Sequence, residues 1–337
     1  MHLPSLRYED LFRYRSVWMG IAILWVVLYH SSINLEWLAV WKSYGYGGVD
    51  IFFFASGLGC YYSLQKQSNP AVFLKKRLLR ILPSYYLVLA LWLALQIFLL
   101  RTPITGMEIL TNIFCTGIFS MAGNQFNWYM SAVWPSYLVA PFLVCFVNRV
   151  SRAARIFLLL ILLLWSTTFL PTYWSLMLFA TRLPIFYAGI LFAKAAQSKE
   201  TMRLRSFLFW ILLAVIGASI LRCCDIYSHK SLTDFGLWWY PFLLIVPGLC
   251  FGISLVCLYI QRFCTFPLRI LETIGNCSFE LYLVHLTVFT CITYLIDNQI
   301  YQPNNTFWLG AVLFCCLLAI CLHTVVQWLV GSFTRQA

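Results

Sequence analysis

Residues 20 to 30 of the 337-residue chain read Gly20-Ile-Ala-Ile-Leu-Trp-Val-Val-Leu-Tyr-His30, an apolar run that ends in a histidine. With its flank from Ser16, the run is long enough to lie inside a bilayer, which a helix crosses with roughly 20 residues. An imidazole in hydrocarbon is costly, and intramembrane ionisable groups usually face an interior cavity and mark a pathway or site. The stretch therefore predicts a membrane helix that carries a functional group.

The composition of the whole chain also indicates a membrane protein. Apolar residues make up 62% of it and charged residues only 10%, whereas soluble domains contain about 25% charged residues. The net charge of +12 is not a nucleic-acid signal, because Lys and Arg cluster between the apolar runs, as membrane topology requires. The 13 cysteines form no CxxC spacing, so the sequence supports neither a metal site nor a disulfide framework.

Ten apolar segments are long enough to span a bilayer. They are 16–33, 48–65, 81–100, 127–148, 156–171, 174–193, 206–222, 237–260, 272–296 and 307–331. The linkers between them are alternately basic and weakly charged, and most of the 23 Lys and Arg residues fall on the side of the two termini. The sequence thus predicts an all-α polytopic membrane protein of about ten helices with both termini in the cytoplasm. Pro171, Arg182 and Pro184 predict a loop or a broken helix at the sixth segment.

Several polar residues are predicted to share the middle and outer layers of the bilayer. His30 lies about 22 Å beyond Arg15 at 1.5 Å per helical residue. The others are Asp50, Asn127 with Trp128 and Tyr129, Glu280 at mid-helix, and His285. Trp128 and Tyr129 fit an interfacial aromatic belt as well as the wall of a site.

The inner layer instead carries Arg77 and Arg80, which are three residues apart and so lie on one helix face, just before Pro83. Paired arginines suit phosphates because their forked donors make charge-assisted hydrogen bonds. The two regions together predict a tunnel with two mouths, with a phosphorylated donor held by the arginine pair at the cytoplasmic mouth. Topology anchors are the alternative role for basic residues at a cytoplasmic helix end.

His30 is the candidate general base for an acceptor hydroxyl, and Asp50 is expected to orient or charge it. Glu280 and His285 would complete the polar wall. Each residue also has a structural alternative. A backbone carbonyl can satisfy His30, Asp50 can cap its helix, and Glu280 can pair with Arg182.

These features resemble the acyltransferase-3 family of bacterial membrane O-acyltransferases, in the form without the extracytoplasmic esterase-like domain that some members carry. The resemblance covers most of the chain and is strongest over 20–30, 48–57 and 73–86, with weaker echoes at 128–141, 182–189 and 278–285. It implies a single transmembrane acyltransferase domain over residues 1–337, in the bacterial cytoplasmic membrane. The implied activity moves an acetyl or other acyl group from cytoplasmic acyl-CoA to a hydroxyl of a sugar, surface polysaccharide or lipid-linked glycan. Acyl-CoA is then a donor substrate, and no cofactor is bound permanently.

The resemblance maps the functional histidine of the family onto His30 and its Arg-x-x-Arg motif, at the acyl-CoA end, onto Arg77 and Arg80. The basic position eleven residues before the histidine is Met19 in this chain, but Arg15 lies one turn earlier on the same face and can reach up. The predicted site therefore comprises catalytic His30, Asp50 and Glu280, donor-binding Arg77, Arg80 and Arg15, and substrate-binding Asn127, Trp128, Tyr129, Arg182 and His285.

A transporter or exporter of a glycan precursor is the alternative function, since ten spans with intramembrane ionisable residues would suit it too. The arginine pair before Pro83 and the lack of an obvious internal repeat disfavour it. The sequence leaves open the acceptor, the length of the acyl group, and the choice between direct transfer and an acyl-enzyme.

Overall fold

The computed structural model describes residues 8–34, 36–119, 126–167, 174–197, 202–227 and 238–336. Over these residues the chain folds into helices and forms no strand. The helices are α1 Tyr8–Phe12, α2 Arg15–His30, α3 Ala39–Ser43, α4 Gly48–Lys66, α5 Pro70–Ala94, α6 Gly106–Ile113, α7 Trp128–Arg149, α8 Arg152–Thr167, α9 Trp174–Ala180, α10 Leu183–Ala196, α11 Leu204–Tyr227, α12 Tyr240–Ile260, α13 Phe266–Asn276, α14 Ser278–Asp297 and α15 Asn305–Gln336.

Seven stretches of the described chain are long and apolar enough to cross a membrane: Pro70–Leu99, Trp128–Arg149, Leu176–Ala196, Leu204–Ile226, Tyr240–Ile260, Ser278–Asp297 and Asn305–Ser332. Helix α2, with 16 residues, is a shorter apolar helix. The predicted all-α polytopic class is thereby confirmed, and each of the ten predicted segments overlaps helical structure. The number of helices that cross and the side of the termini stay predictions.

The sixth segment contains the expected break. Helix α9 ends at Ala180, Thr181 and Arg182 form a turn, and α10 begins with Leu183. Pro184 lies in the first turn of α10, where its missing N–H costs no helical hydrogen bond. Pro171, the other proline behind this prediction, lies outside the described residues.

The ninth segment differs from the prediction. Its first residues belong to α13, and the chain turns at Cys277 before α14 begins. Helix α13 carries Arg269 and Glu272 and buries few residues, so it is an amphipathic surface helix, which a hydropathy window merges with the span that follows. Glu280 consequently lies in the first turn of α14 and not at mid-helix, which corrects its predicted depth.

Helix α4 is buried over most of its length and packs against α2 and α10. A side-chain carbon on Gly57 of α4 would overlap a backbone carbonyl of α10, and one on Gly189 of α10 would overlap a backbone carbonyl of α4. The two glycines therefore let the helices cross in backbone contact, as small residues do between membrane helices. This crossing holds Asp50 of α4 close to Arg182 at the start of α10.

Helix α14 packs against α2, α5 and α15, and α15 also packs against α5. The start of α2, the basic half of α5, the first turn of α14 and one face of α15 thereby surround a common space. This space is the first part of the candidate site.

Candidate active site

A cavity between α2, α4, α5, α7, α14 and α15 contains about 730 Å³ of empty space, including its open mouth. Arg15, Arg77 and Arg80 all line it. Glu280 is the only carboxylate among the described lining residues, so positive charge prevails in the cavity. Such a cavity concentrates anionic ligands. The structure thus brings Arg15 to the arginine pair, as the sequence predicts.

Two of the three guanidinium groups are held against α4. Arg15 Nε donates to the carbonyl of Ala55 at 3.0 Å, and Arg77 Nη2 donates to the carbonyl of Gly59 at 2.8 Å. A carbon added to Gly59 would lie 3.1 Å from Arg15 Nη2, so both arginines rest on this glycine. Met19 lines the same cavity one turn further along α2. Arg15 therefore supplies the charge that Met19 lacks.

The Arg77 guanidinium also lies near two aromatic rings, with its Cζ 5.3 Å from the ring centroid of Phe73 and 5.6 Å from that of Tyr137. Stacked and hydrogen-bonded arginines are pre-organised, so they lose less conformational freedom when a phosphate binds. Arg80 has an exposed side chain at the mouth of the cavity.

Glu280 lies on the arginine side of the molecule. Ser84 Oγ donates to its Oε1 at 2.8 Å, and Nδ1 of His323 lies 3.2 Å from the same oxygen. The predicted mid-helix position is wrong, because the helix that carries Glu280 starts later than predicted. The alternative pairing with Arg182 does not occur either, since Arg182 pairs with Asp50.

His30 contacts a second histidine. Its Nδ1 lies 2.9 Å from the carbonyl oxygen of Val26 and 3.4 Å from Nε2 of His285, whose own Nδ1 lies 2.9 Å from the carbonyl oxygen of Leu281. A carbonyl only accepts, so each neutral ring carries its proton on Nδ1. The His30 Nδ1–H then donates to the Val26 carbonyl, with His285 Nε2 as a second and longer acceptor, and the described contacts leave the lone pair on His30 Nε2 without a partner.

The expected backbone bond of His30 is therefore present, and it is compatible with function because it sets the tautomer of the ring. The side chain of His30 is exposed, whereas His285 is completely buried. His285, which was predicted to contact substrate, lies in the protein interior next to His30.

Asp50 has a different partner from the one expected. Arg182 Nε lies 3.7 Å from Asp50 Oδ1, and both side chains are 2% exposed. The described contacts of Asp50 do not include His30, and no side chain caps α4. A buried charge without a partner is costly, which explains why the buried Asp50 carboxylate lies next to the buried Arg182 guanidinium. The guanidinium Cζ also lies 5.4 Å from the ring centroid of Trp128 and 5.2 Å from that of Trp239.

Three buried polar atoms have no hydrogen-bond partner among the described residues: Asp50 Oδ2 and Arg182 Nε in the pair itself, and Nδ2 of Asn127, the chain neighbour of Trp128. The other side-chain atom of Asn127, Oδ1, accepts from the backbone N–H of Met130 at 3.0 Å and caps α7. Asn127 is thus a capping residue with one free donor. Buried polar groups usually have partners, so these atoms are suited to a polar ligand.

Tyr129 and Tyr282 stand between the arginine cavity and the histidines. Both line the cavity, and their ring centroids are 5.2 Å apart. The ring of Tyr282 also lies 5.5 Å from the ring of His285. The described lining of the cavity includes neither histidine. The rings of Tyr129 and Tyr282 therefore lie between the arginine cavity and the pair His30 and His285, and the predicted tunnel with two mouths stays a prediction.

Three site residues escaped the sequence analysis. Tyr282 lies three residues before His285, and that spacing already puts both on one helix face. His323 is the only His, Lys, Arg, Asp or Glu in the apolar run 307–331, which is a signal for a site residue in a membrane helix. Trp239 gave no usable signal, because a tryptophan at a span end fits an interfacial belt.

Comparison with known proteins gives one match. No curated protein and no solved structure matches the chain significantly. A family model described as an acyltransferase domain matches residues 18–325, which include His30, Arg77, Arg80, Glu280 and His285 but not Arg15. The match covers nearly the whole chain, and this protein therefore belongs to the acyltransferase-3 family and is a membrane acyltransferase.

Proposed function

We propose that the protein is an O-acyltransferase of the bacterial cytoplasmic membrane. It moves an acetyl or other acyl group from cytoplasmic acyl-CoA to a hydroxyl of a sugar, a surface polysaccharide or a lipid-linked glycan. The observation that carries the proposal is the convergence of Arg15, Arg77 and Arg80 on one cavity. The inner end of that cavity is one aromatic layer from the pair His30 and His285.

The cavity suits the donor. CoA carries its phosphates at one end and its thioester at the other, so a cationic mouth and a less charged interior match the two ends. The Arg77 guanidinium is fixed by its hydrogen bond to the Gly59 carbonyl and by its contacts with two aromatic rings. Its remaining N–H groups can donate to a phosphate. The acyl end then extends toward Tyr129 and Tyr282, whose rings line the inner part of the cavity.

The opposite side suits a sugar. Trp128, which is partly exposed, offers a flat apolar surface against which the C–H face of a sugar ring can pack. Trp239 is buried and packs near the Arg182 guanidinium. Among the described residues, Asp50 Oδ2 and Asn127 Nδ2 have no hydrogen-bond partner, so they offer an acceptor and a donor for hydroxyl groups. A few fixed polar groups among apolar surfaces are what orients a small ligand.

The chemistry follows from the tautomer of His30. Its free Nε2 takes the proton of the acceptor hydroxyl while the oxygen attacks the thioester carbonyl carbon. The carbon–sulfur bond breaks, CoA leaves as a thiolate, and the imidazolium returns the proton to it. The Tyr282 ring lies between Tyr129 and His285, and so between the acyl end of the donor and His30. The acceptor hydroxyl can reach the thioester only when this ring moves aside. We therefore propose that the Tyr282 side chain changes its conformation when the donor binds.

The test is acyl transfer by purified protein in lipid nanodiscs, with radiolabelled acetyl-CoA and surface glycan from a strain that lacks the protein. Release of CoA thiol together with label in the glycan is the expected result. A transporter would instead move glycan precursor across proteoliposomes without acyl-CoA and bind no CoA. That outcome, with no CoA released for any glycan, would refute the proposal.

A further inference from the structure

A shallow groove continues the mouth of the arginine cavity along the surface of the protein. Its lining residues are Lys76, Leu79, Arg80, Asn276, His323, Gln327 and Val330. Four of these also line the cavity, namely Arg80, Asn276, His323 and Gln327. A molecule that fills the cavity and protrudes from its mouth therefore passes directly into the groove.

The basic residues of α5 line both the arginine cavity and the groove. Arg77 faces the cavity, Lys76 faces the groove, and Arg80 lines both. Lys75, the neighbouring residue, is exposed and lines neither. The chain thus offers a natural matched pair of lysines, one inside the groove and one outside it.

The groove is cationic. Lys76 and Arg80 line it, and no carboxylate occurs in its described lining. Glu280 lies in the neighbouring cavity, where its carboxylate is 3.2 Å from His323 Nδ1. The remaining lining consists of two amide side chains, Asn276 and Gln327, and two aliphatic ones, Leu79 and Val330. Positive charge beside amides and an apolar surface matches a phosphorylated nucleoside better than a bare phosphate.

We propose that the groove binds the 3′-phosphoadenosine end of the donor, with Lys76 and Arg80 on the 3′-phosphate. The inference rests on the proposed function, because it takes acyl-CoA as the donor. CoA carries two separate anionic groups, the pyrophosphate and the 3′-phosphate. Arg15 and Arg77 of the cavity account for the first, and the groove, with Lys76 and Arg80, supplies a second cationic site next to it. The enzyme then selects CoA thioesters over acyl-pantetheine donors that lack the nucleotide.

The experiment compares acetyl-CoA with acetyl-3′-dephospho-CoA in nanodiscs of zwitterionic lipid, for the wild type, Lys76→Ala and Lys75→Ala. We expect the wild type to show a KM roughly tenfold higher for the dephospho donor at unchanged kcat. Lys76→Ala should raise the KM for acetyl-CoA roughly fivefold, as expected for one partly solvated charge contact. It should leave the KM for the dephospho donor unchanged, and Lys75→Ala should alter neither value.

Equal KM values for the two donors in the wild type would overturn the inference while the proposed function stands. Equal effects of Lys76→Ala and Lys75→Ala would also overturn it, because general surface charge would then be the cause. In the last part of the experiment, the same measurements are repeated in nanodiscs that also contain anionic lipid. If Lys76→Ala removes a dependence on anionic lipid and leaves donor discrimination intact, the groove binds a lipid headgroup and the inference is wrong. If neither donor is consumed, the proposed function itself fails.

Discussion

His285 Nε2 lies 3.4 Å from His30 Nδ1, although the two histidines are 255 positions apart in the chain. The contact forms because α14 packs against α2. Since Nδ1 of His285 lies 2.9 Å from the carbonyl of Leu281, its Nε2 is free to accept the His30 proton. We therefore propose that the buried histidine positions the exposed one.

The first prediction tests that positioning. His285→Ala removes the second acceptor of the His30 Nδ1–H and the ring next to it, while the Val26 carbonyl still sets the tautomer. The His30 ring is then less firmly oriented, so we expect kcat to fall roughly tenfold with little change in the KM for acyl-CoA. His285→Gln should recover part of the loss, because its side-chain oxygen can accept the same hydrogen bond. Steady-state kinetics of both variants, with thermal melts as the folding control, provide the measurement. A loss confined to KM, or no recovery in a folded Gln variant, argues against the positioning role.

The second prediction concerns donor binding. Arg77→Ala should raise the donor KM at least tenfold, because a charge-assisted hydrogen bond is worth about 1.5–3 kcal/mol. Arg77→Lys should restore little, since a lysine cannot fork its donors and stack between rings in the same way. Lys75→Ala on the same helix is the matched control and should behave as wild type. An equal response to Arg77→Ala and Lys75→Ala would mean that the arginine is only a topology anchor.

The third prediction decides the role of Glu280, whose predicted catalytic function stays open. Its carboxylate shares a cavity with three guanidinium groups. If Glu280 only sets the charge there, Glu280→Gln keeps the bond from Ser84 and lowers the donor KM roughly twofold to fivefold at unchanged kcat. If it takes part in proton transfer, kcat falls by roughly 100-fold or more instead. The structure favours the first result, because Glu280 lies with the arginines and away from His30.

The fourth prediction tests the orientation in the membrane. Glu36 lies in the exposed loop after His30, and Cys264 is exposed in the loop between α12 and α13, next to Arg262. In a variant whose only thiol is Glu36→Cys, an impermeant maleimide should label intact spheroplasts. A variant that retains Cys264 alone should react only after the membrane is permeabilised. The reverse pattern would place the arginine cavity on the outer side and remove cytoplasmic acyl-CoA as the donor.

Much of the fold is predictable because hydropathy is local. Each of the ten predicted segments overlaps helical structure, and the break before Pro184 is where the prolines and Arg182 indicated. The turn at Cys277 was missed, because an amphipathic helix directly before a span has no polar linker to separate them. That local error moved Glu280 by more than one helical turn.

The site was less predictable because depth in a bilayer does not specify partners. Asp50 and His30 were assigned to the same layer, yet Asp50 pairs with Arg182, which the α4–α10 crossing brings to it. The aromatic layer of Tyr129 and Tyr282 depends in the same way on helix packing. By contrast, the family resemblance implies a basic residue at position 19, where this chain has Met19, and Arg15 one turn earlier was predicted to replace it; the structure places both in one cavity.

The central claim is that His30 Nε2 removes the proton of the acceptor. The most direct measurement is CoA release by His30→Ala at saturating acyl-CoA and glycan, together with calorimetric donor binding by the same preparation. We predict a loss of roughly 100-fold or more in rate with an unchanged Kd for the donor, because His30 lies outside the described lining of the arginine cavity. A folded His30→Ala protein that releases CoA at the wild-type rate would contradict the account.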